Sequence, residues 1–368
     1  MIGAGGTGGH VYPALAVAEA LRRRALTSEP PVFVGTRDGF EKPLVEASGV
    51  QFRAYHEVDA GPLNGVGLRR ALDSLVRLTR GTWQSWHILR RERPAALLLT
   101  GGWANVPLAL AAAVRRVPML VYLPDIEPGL TIRVVARLAQ RVAMTTPQSA
   151  AYFRPGQGVA LGYPLRQAIL QATRAAGLAH FGLDDHLPVL LVFGGSRGAR
   201  SLNVALAAIL PDLLERAQVI HISGTTDWEE SQARMPQLSP QQAARYHAFP
   251  YLHDDMGLAF ACADLALCRS GASTLGELPY FGLPAVLVPY PHAWRYQKVN
   301  ADYLAERGAA LVLPDEALAK QLWPTLCALL DDAPRRQAMR QAALSLRQAD
   351  SAERIAELWL SLAGQEVG

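Results

Sequence analysis

Nine short, unbroken apolar runs punctuate this chain, and they limit its fold more than any other feature. Four fall in the first half: PVFVGT (31–36), AALLLTGG (95–102), PMLVYLP (118–124) and RVAMTT (141–146). Five fall in the second: PVLLVFGGS (188–196), AQVIHISG (217–224), ADLALCRSG (263–271), PAVLVPYP (284–291) and GAALVLP (308–314). They are continuous rather than alternating, so each reads as a strand covered on both faces, the habit of parallel sheets. Segments with helical spacing lie between them, among them 13–25, 67–92 and 130–140. Strand–helix alternation of this kind predicts βαβ units and doubly wound sheets in an α/β protein.

The 368 residues exceed one ordinary core and suit two domains of roughly 150–200 residues each. A repeat supports the division. GAGGTGGHVYPALAVAEAL (3–21) is echoed about 190 residues later by LLVFGGSRGARSLNVALAAIL (190–210). Each is a glycine-rich turn opening a helix with apolar spacing. We therefore expect one domain over 1–160 and a second over 161–350, with a last helix near 352–364, inside 351–368, that packs back on the first half. Only Met1 and Ile2 precede the first glycine loop, whereas a parallel strand needs about five residues. The favoured expectation is that the true start lies upstream.

Composition closes off several function classes. Half the residues are apolar and 18% are charged, which describes a globular chain. The net charge of +4 suits an anionic ligand or an anionic membrane surface. Lys42, Lys298 and Lys320 are the only lysines and the arginines are scattered, so no basic stripe marks a nucleic-acid partner. The three cysteines, Cys262, Cys268 and Cys327, have neither CxxC spacing nor an even count, which points to a reducing compartment. No apolar run reaches 18 residues, and the first residues lack a signal-peptide layout.

A glycine turn that opens a helix aims backbone N–H groups at open space, and with the helix dipole these make an anion site for phosphate. The plainer alternative is that the glycines serve only a tight turn. Two such turns, one per half, favour the ligand site. Neither matches GxxxxGK[ST], and a nicotinamide-type fingerprint does not call for a matching second half or a histidine at the loop's end. His10 could take a proton from an attacking hydroxyl, or could simply pack beside the first helix. The stretch CRSGASTLGELPYFGLPAVLVPYPHAWRYQKVNADYL (268–304) ends a strand at Cys268 and turns into a helix. Glu277 would fall in its first two turns, either to accept two ribose hydroxyls or to complement the helix dipole. His292, Arg295, Gln297 and Asn300 follow on a second turn.

Taken together, GGTGGHVYPALAVAEAL, GGSRGARSLN, HISG (221–224), DDM (254–256), CRSGASTLGE, GLPAVLVPYPH and the Q..N pair at 297 and 300 resemble the MurG family, a glycosyltransferase family 28-like group. The resemblance runs essentially end to end and keeps motif order. It implies a GT-B fold, two Rossmann-like doubly wound parallel-sheet domains facing across a cleft. It implies inverting, metal-independent transfer of N-acetylglucosamine from UDP-N-acetylglucosamine to an undecaprenyl-linked muramyl-peptide. The place would be the cytoplasmic face of the bacterial membrane, with other cell-wall proteins as partners and with no cofactor. By the same resemblance His10 is the base. The donor set is Thr7, Gly8, Gly9, Arg166, Gly195, Ser196, Leu252, Arg269, Ser270, Gly271, Ala272, Thr274, Glu277 and Gln297, with the uracil near Tyr251, Leu252 and His253.

Departures gather on the acceptor side, where Trp103, Asn105 and Asp125 are the expected contacts. The family often reads GGY-V-S where this chain has GGWAN (101–105), and His-Glu-Gln-Asn where it has YLPDIEPG (122–129). The family's glutamate becomes Leu123, for which Asp125 or Glu127 would compensate, and its Asn-Pro turn becomes GYPLR (162–166). An alternative is a related GT-B transferase with another lipid or glycan acceptor. A non-catalytic sugar-nucleotide binder and a UDP-sugar 2-epimerase use similar parts. Helix 67–92 carries Arg69, Arg70, Arg77, Arg80, Arg90, Arg91 and Arg93 with Trp83 and Trp86. It suits an anionic headgroup layer, or equally a core helix with a solvated basic face.

Overall fold

The apolar runs become strands of two parallel sheets, all of them inner except the last, in the computed structural model, which describes residues 1–62, 67–195, 198–292 and 295–364. Contacts divide the chain into two units, Met1–Arg166 with Asp350–Gly368, and Gln167–Ala349. In the first unit the strands are β1 (Ile2–Gly3), β2 (Val32–Thr36), β3 (Ala54–Val58), β4 (Leu97–Leu99), β5 (Met119–Leu123), β6 (Arg141–Met144) and β7 (Gly158–Ala160). Their order across the sheet is β3-β2-β1-β4-β5-β6-β7. In the second unit they are β8 (Val189–Phe193), β9 (Gln218–Ile222), β10 (Tyr246–Phe249), β11 (Leu265–Cys268), β12 (Ala285–Leu287) and β13 (Ala310–Val312). These run β10-β9-β8-β11-β12-β13.

Both orders reverse direction beside their first strand, between β1 and β4 and between β8 and β11. Ligands of open α/β sheets bind outside the strand ends at such a switch point. Ile2 pairs with Phe33 on one side and Leu98 on the other, so the loops after β1 and β4 emerge together. Leu265 pairs with Leu190, so the loops after β8 and β11 do the same.

Four strands lacked a continuous apolar run: the two-residue β1, which lies inside its sheet, and β3, β7 and β10, which are sheet edges. β3 (AYHEV) and β10 (YHAF) are mostly half-buried and mix polar with apolar residues, because an edge strand has one open side. β7 is three residues long. The first helix, Gly8–Arg23, starts five residues before the expected 13, since Pro13 in its second turn forfeits only one backbone bond. The last helix, Ser351–Leu362, packs on that first helix within the first unit. Ala16, Ala20 and Ala352 form a small buried cluster between them, and Arg23 pairs with Glu353. Alanines at this seam let the two backbones approach. Among the described residues no helix is long and apolar enough to cross a membrane.

Candidate active site

His10 lies in the first turn of the Gly8–Arg23 helix and is partly buried. Its Nδ1 stands 3.1 Å from the Gly5 carbonyl oxygen and 3.3 Å from Thr7 Oγ1. A carbonyl can only accept, so Nδ1 carries the proton in the neutral ring and Nε2 carries the lone pair. Burial pushes the imidazole below its ordinary value, while Asp125 and the bond to Gly5 act in the opposite sense. The ring is therefore neutral near pH 7 and faces a carboxylate that would stabilise it once protonated.

The turn after β4 closes over this ring. Gly101 and Gly102 have φ of +125° and +90°, backbone that favours glycine. A Cβ on Gly101 would sit 2.7 Å from His10 Nε2, and one on Gly102 would sit 2.6 Å from the Gly5 carbonyl carbon. Thr100 Oγ1 donates to the His10 carbonyl at 2.7 Å, and Gly5 N donates to Gly101 O at 3.1 Å. Sequence reasoning did not connect Thr100, Gly101 or Gly102 to His10; their signal was the GG pair at a strand end. Asn105, expected on the acceptor side, is corrected here. It is 1% exposed, and its Nδ2 donates to Gly101 O at 2.8 Å, so it holds the turn from beneath. Trp103 packs partly buried against the core. Asp125 acts on His10, whereas Glu127 is buried and accepts from Tyr152 OH at 2.7 Å. Arg166 lies 4.8 Å from the ring centroid of Tyr12, so this cation belongs with Thr7, Gly8 and Gly9 at the start of the same helix.

The second unit assembles the other glycine loop with the turn after β11. Gly195 has φ of +92° and open space at its Cα. Ser196 lies outside the described residues. Gly198, φ +89°, packs against the loop after β9, where a Cβ would be 2.8 Å from Asp227 Oδ2. Below it, Asn203 Nδ2 donates to Ser223 O, and Asn203 Oδ1 lies 3.0 Å from His221 Nε2. Burial lowers the His221 pKa to about 4, so this imidazole is a neutral core group.

Around the second turn, most polar side chains bind the backbone. Ser270 Oγ donates to Gln297 O at 2.7 Å, Asn300 Nδ2 donates to Ser270 O at 3.2 Å, and Thr274 Oγ1 donates to Gly271 O at 2.6 Å. Arg269, 8% exposed, spends its guanidinium on Asp315 Oδ1 at 2.5 Å, Ser201 Oγ at 2.8 Å and Val288 O at 3.1 Å. Its charge is already answered by Asp315, so it ties the turn after β11 to the Arg200–Leu213 helix and to the segments that follow β12 and β13. What remains presented is the backbone of Gly271, Ala272 and Ser273, partly exposed at the N-terminus of the Thr274–Phe281 helix. Backbone amides in this arrangement can receive an anion. Glu277 sits in the first turn of that helix, and Gln297 Oε1 accepts from Tyr290 N at 2.8 Å, which orients its amide. Leu252 is buried next to the edge-to-face rings of Tyr251 and His253.

Residues 1–144 match the glycosyltransferase family 28 N-terminal domain, and residues 189–355 match the family's C-terminal domain. The chain belongs to glycosyltransferase family 28. A Roseiflexus sp. (strain RS-1) protein, "UDP-N-acetylglucosamine--N-acetylmuramyl-(pentapeptide) pyrophosphoryl-undecaprenol N-acetylglucosamine transferase", is 40% identical over 410 residues, 96% of this chain and 92% of that protein. One of the same name from Desulforudis audaxviator (strain MP104C) is 38% identical, with 99% and 98% covered. The crystal structure of Acinetobacter baumannii MurG superposes with a TM-score of 0.71 at 26% identity, covering 98% of each chain. The S. aureus MnaA–UDP co-structure reaches the same TM-score at 14% identity, with 100% and 98% covered, a likeness of fold alone. As a family 28 member of the MurG group, the chain is a hexosyltransferase with the GT-B fold.

Proposed function

We propose that this enzyme transfers N-acetylglucosamine from UDP-N-acetylglucosamine to an undecaprenyl-pyrophosphoryl N-acetylmuramyl-pentapeptide, in peptidoglycan synthesis, with inversion and without a metal. The observation that carries this reading is the contact of His10 Nδ1 with the Gly5 carbonyl, which favours the tautomer with its lone pair on Nε2. With Nδ1 held by Gly5 O at 3.1 Å, Nε2 is the base that takes the acceptor hydroxyl proton as that oxygen attacks the anomeric carbon. The bond to the UDP oxygen breaks on the opposite face. The charge developing on the diphosphate is met by the amides of the Gly271–Ser273 turn and the helix behind it, which supply electrostatic stabilisation without an ion. Glu277 is suited to the ribose hydroxyls and Gln297 to the sugar. Transfer to a different acceptor is the weaker reading. It rests on departures near 103–105 and 122–127, yet Asn105 and Leu123 are each 1% exposed, so those changes concern packing.

The site of action in this reading is the cytoplasmic membrane face. Leu72, Leu75, Val76 and Trp83 are exposed on the Leu68–Glu92 helix, Leu110 and Val114 on the Asn105–Arg115 helix packed beside it. Arg115 lies 4.9 Å from the Trp86 ring centroid. Apolar and aromatic side chains ringed by arginine suit an anionic lipid surface.

The test is UDP release from UDP-N-acetylglucosamine, with and without a lipid-linked muramyl-peptide analogue, for wild type and His10→Ala. Analogue-dependent release that drops by about 10²-fold or more in the variant is the expected result. Release that ignores the analogue would remove this acceptor from the reading.

A further inference from the structure

A carboxylate lies one peptide unit away from His10. Glu41, the first residue of the Glu41–Ala47 helix, is fully buried although it is charged in type. Its Oε2 accepts from Gly6 N at 3.4 Å, and its Oε1 accepts from Thr36 N. Three glycines on different segments make the room it fills. A Cβ on Gly5 would be 3.0 Å from Glu41 Oε1, one on Gly35 would be 3.0 Å from its Cγ, and one on Gly39 would be 2.5 Å from its Oε2. Gly6 N–H and Gly5 C=O are the two ends of a single planar peptide unit, pointing in opposite directions. One end meets Glu41; the other meets His10 Nδ1. Gly6, with φ of +86°, would otherwise leave that unit free to turn over.

We propose that Glu41 is a positioning residue for His10, acting through the Gly5–Gly6 peptide. Its carboxylate holds the N–H end, so the carbonyl end faces Nδ1 and the lone pair stays on Nε2. When Nε2 takes the acceptor proton, the Nδ1–H of the imidazolium points at a carbonyl that the anion has polarised. No proton crosses the peptide, which acts only through its two hydrogen bonds. The inference rests on the reading of His10 as the base. The groups facing this pair are Asp125, after β5, toward His10, and Tyr55, on β3, toward Glu41. Burial, and then Glu41, holds the Tyr55 hydroxyl above its ordinary range, so it stays neutral; Lys42 and Glu57 pair with each other at 3.4 Å nearby.

The experiment compares wild type, Glu41→Gln, Glu41→Asp and His10→Ala. It reads kcat, KM for UDP-N-acetylglucosamine, the pH–rate profile and the 15N shifts of the His10 ring in the full chain. Glu41→Gln keeps the shape and loses the charge. It should lower kcat about tenfold, the lower end of what removing a partner behind an active-site histidine costs. KM should hold, and the acid limb should move to lower pH, because the imidazolium loses an anion. Glu41→Asp retreats by one methylene and should populate the Nε2–H tautomer. Wild-type kcat, acid limb and ring shifts in both Glu41 variants, with His10→Ala inactive, would overturn the role of Glu41 alone. An active His10→Ala would overturn the base itself. Should the Glu41 variants fail to fold, the wild-type ring decides: a neutral His10 protonated on Nε2 overturns the proposal.

Discussion

His10 Nδ1 and Gly5 O stand 3.1 Å apart, and that contact selects Nε2 as the basic nitrogen. The turn at Gly101 packs against the Nε2 edge of the ring. Gly101→Ala would bring a Cβ within 2.7 Å of Nε2 from a backbone at φ +125°. We expect kcat to fall by about 10²-fold, the scale of an ångström's misplacement. The strain should cost about 1–3 kcal/mol. Turnover alongside circular dichroism checks this, and a fully active Gly101→Ala enzyme would refute the packing argument.

The pH profile follows from the same ring. Burial holds His10 below its ordinary value, so the free base persists to lower pH and the acid limb of kcat/KM should fall below about pH 6.5. Asp125 pulls the other way. Asp125→Asn should therefore shift that limb to still lower pH, and a shift upward would contradict the electrostatic sign.

His221 sets a stability prediction in the second unit. Its folded pKa of about 4 is below the unfolded value near 6.5, so the unfolded chain binds the proton more readily. The stability it supports is complete above about pH 6.5 and is lost as pH falls toward 4. The loss is on the order of 3 kcal/mol. Urea melts at pH 7 and pH 4.5 should show a smaller difference for His221→Gln than for wild type. Equal differences would mean that the imidazole is not responsible.

Arg269 makes Asp315 indispensable. Asp315→Ala leaves a nearly buried guanidinium without its anion, at a cost of about 3 kcal/mol. Ser201→Ala removes one neutral acceptor and should cost about 1 kcal/mol. Donor binding, measured by calorimetry with UDP, should weaken in the same order. Tight UDP binding in Asp315→Ala would separate the brace from the ligand site.

The exposed apolar face makes a prediction with no stability component. Val76 and Trp83 are 67% and 65% exposed, so Val76→Ser with Trp83→Ser should change folding stability by less than about 0.5 kcal/mol. Sedimentation with vesicles containing anionic lipid should fall, and added salt should weaken the wild type's binding. Undiminished sedimentation of the double variant would move the membrane contact elsewhere.

The inner strands could be read directly because burial on both faces leaves an unbroken apolar run, as in Val189–Phe193 and Leu265–Cys268. The edge strands Ala54–Val58 and Tyr246–Phe249 could not, because they are only half-buried and mix polar with apolar residues. Site residues divided in the same way. Gly195 announces itself through local backbone demand. Asn105 and Arg269 look like contacts by motif yet turn inward, since whether a polar side chain faces ligand or core depends on its neighbours across the sheet.

Local chemistry written along the chain therefore settles two parallel sheets, a glycine turn after β1 and after β8, and a histidine at the end of the first. Apolar periodicity and positive φ act over a few residues, and no distant partner is needed to express them. What fences His10 and what lies beneath its loop belong to the tertiary structure alone. Gly101 and Glu41 are far from His10 in sequence, and only the reversal of strand order beside β1 brings them to the same ring and the same peptide.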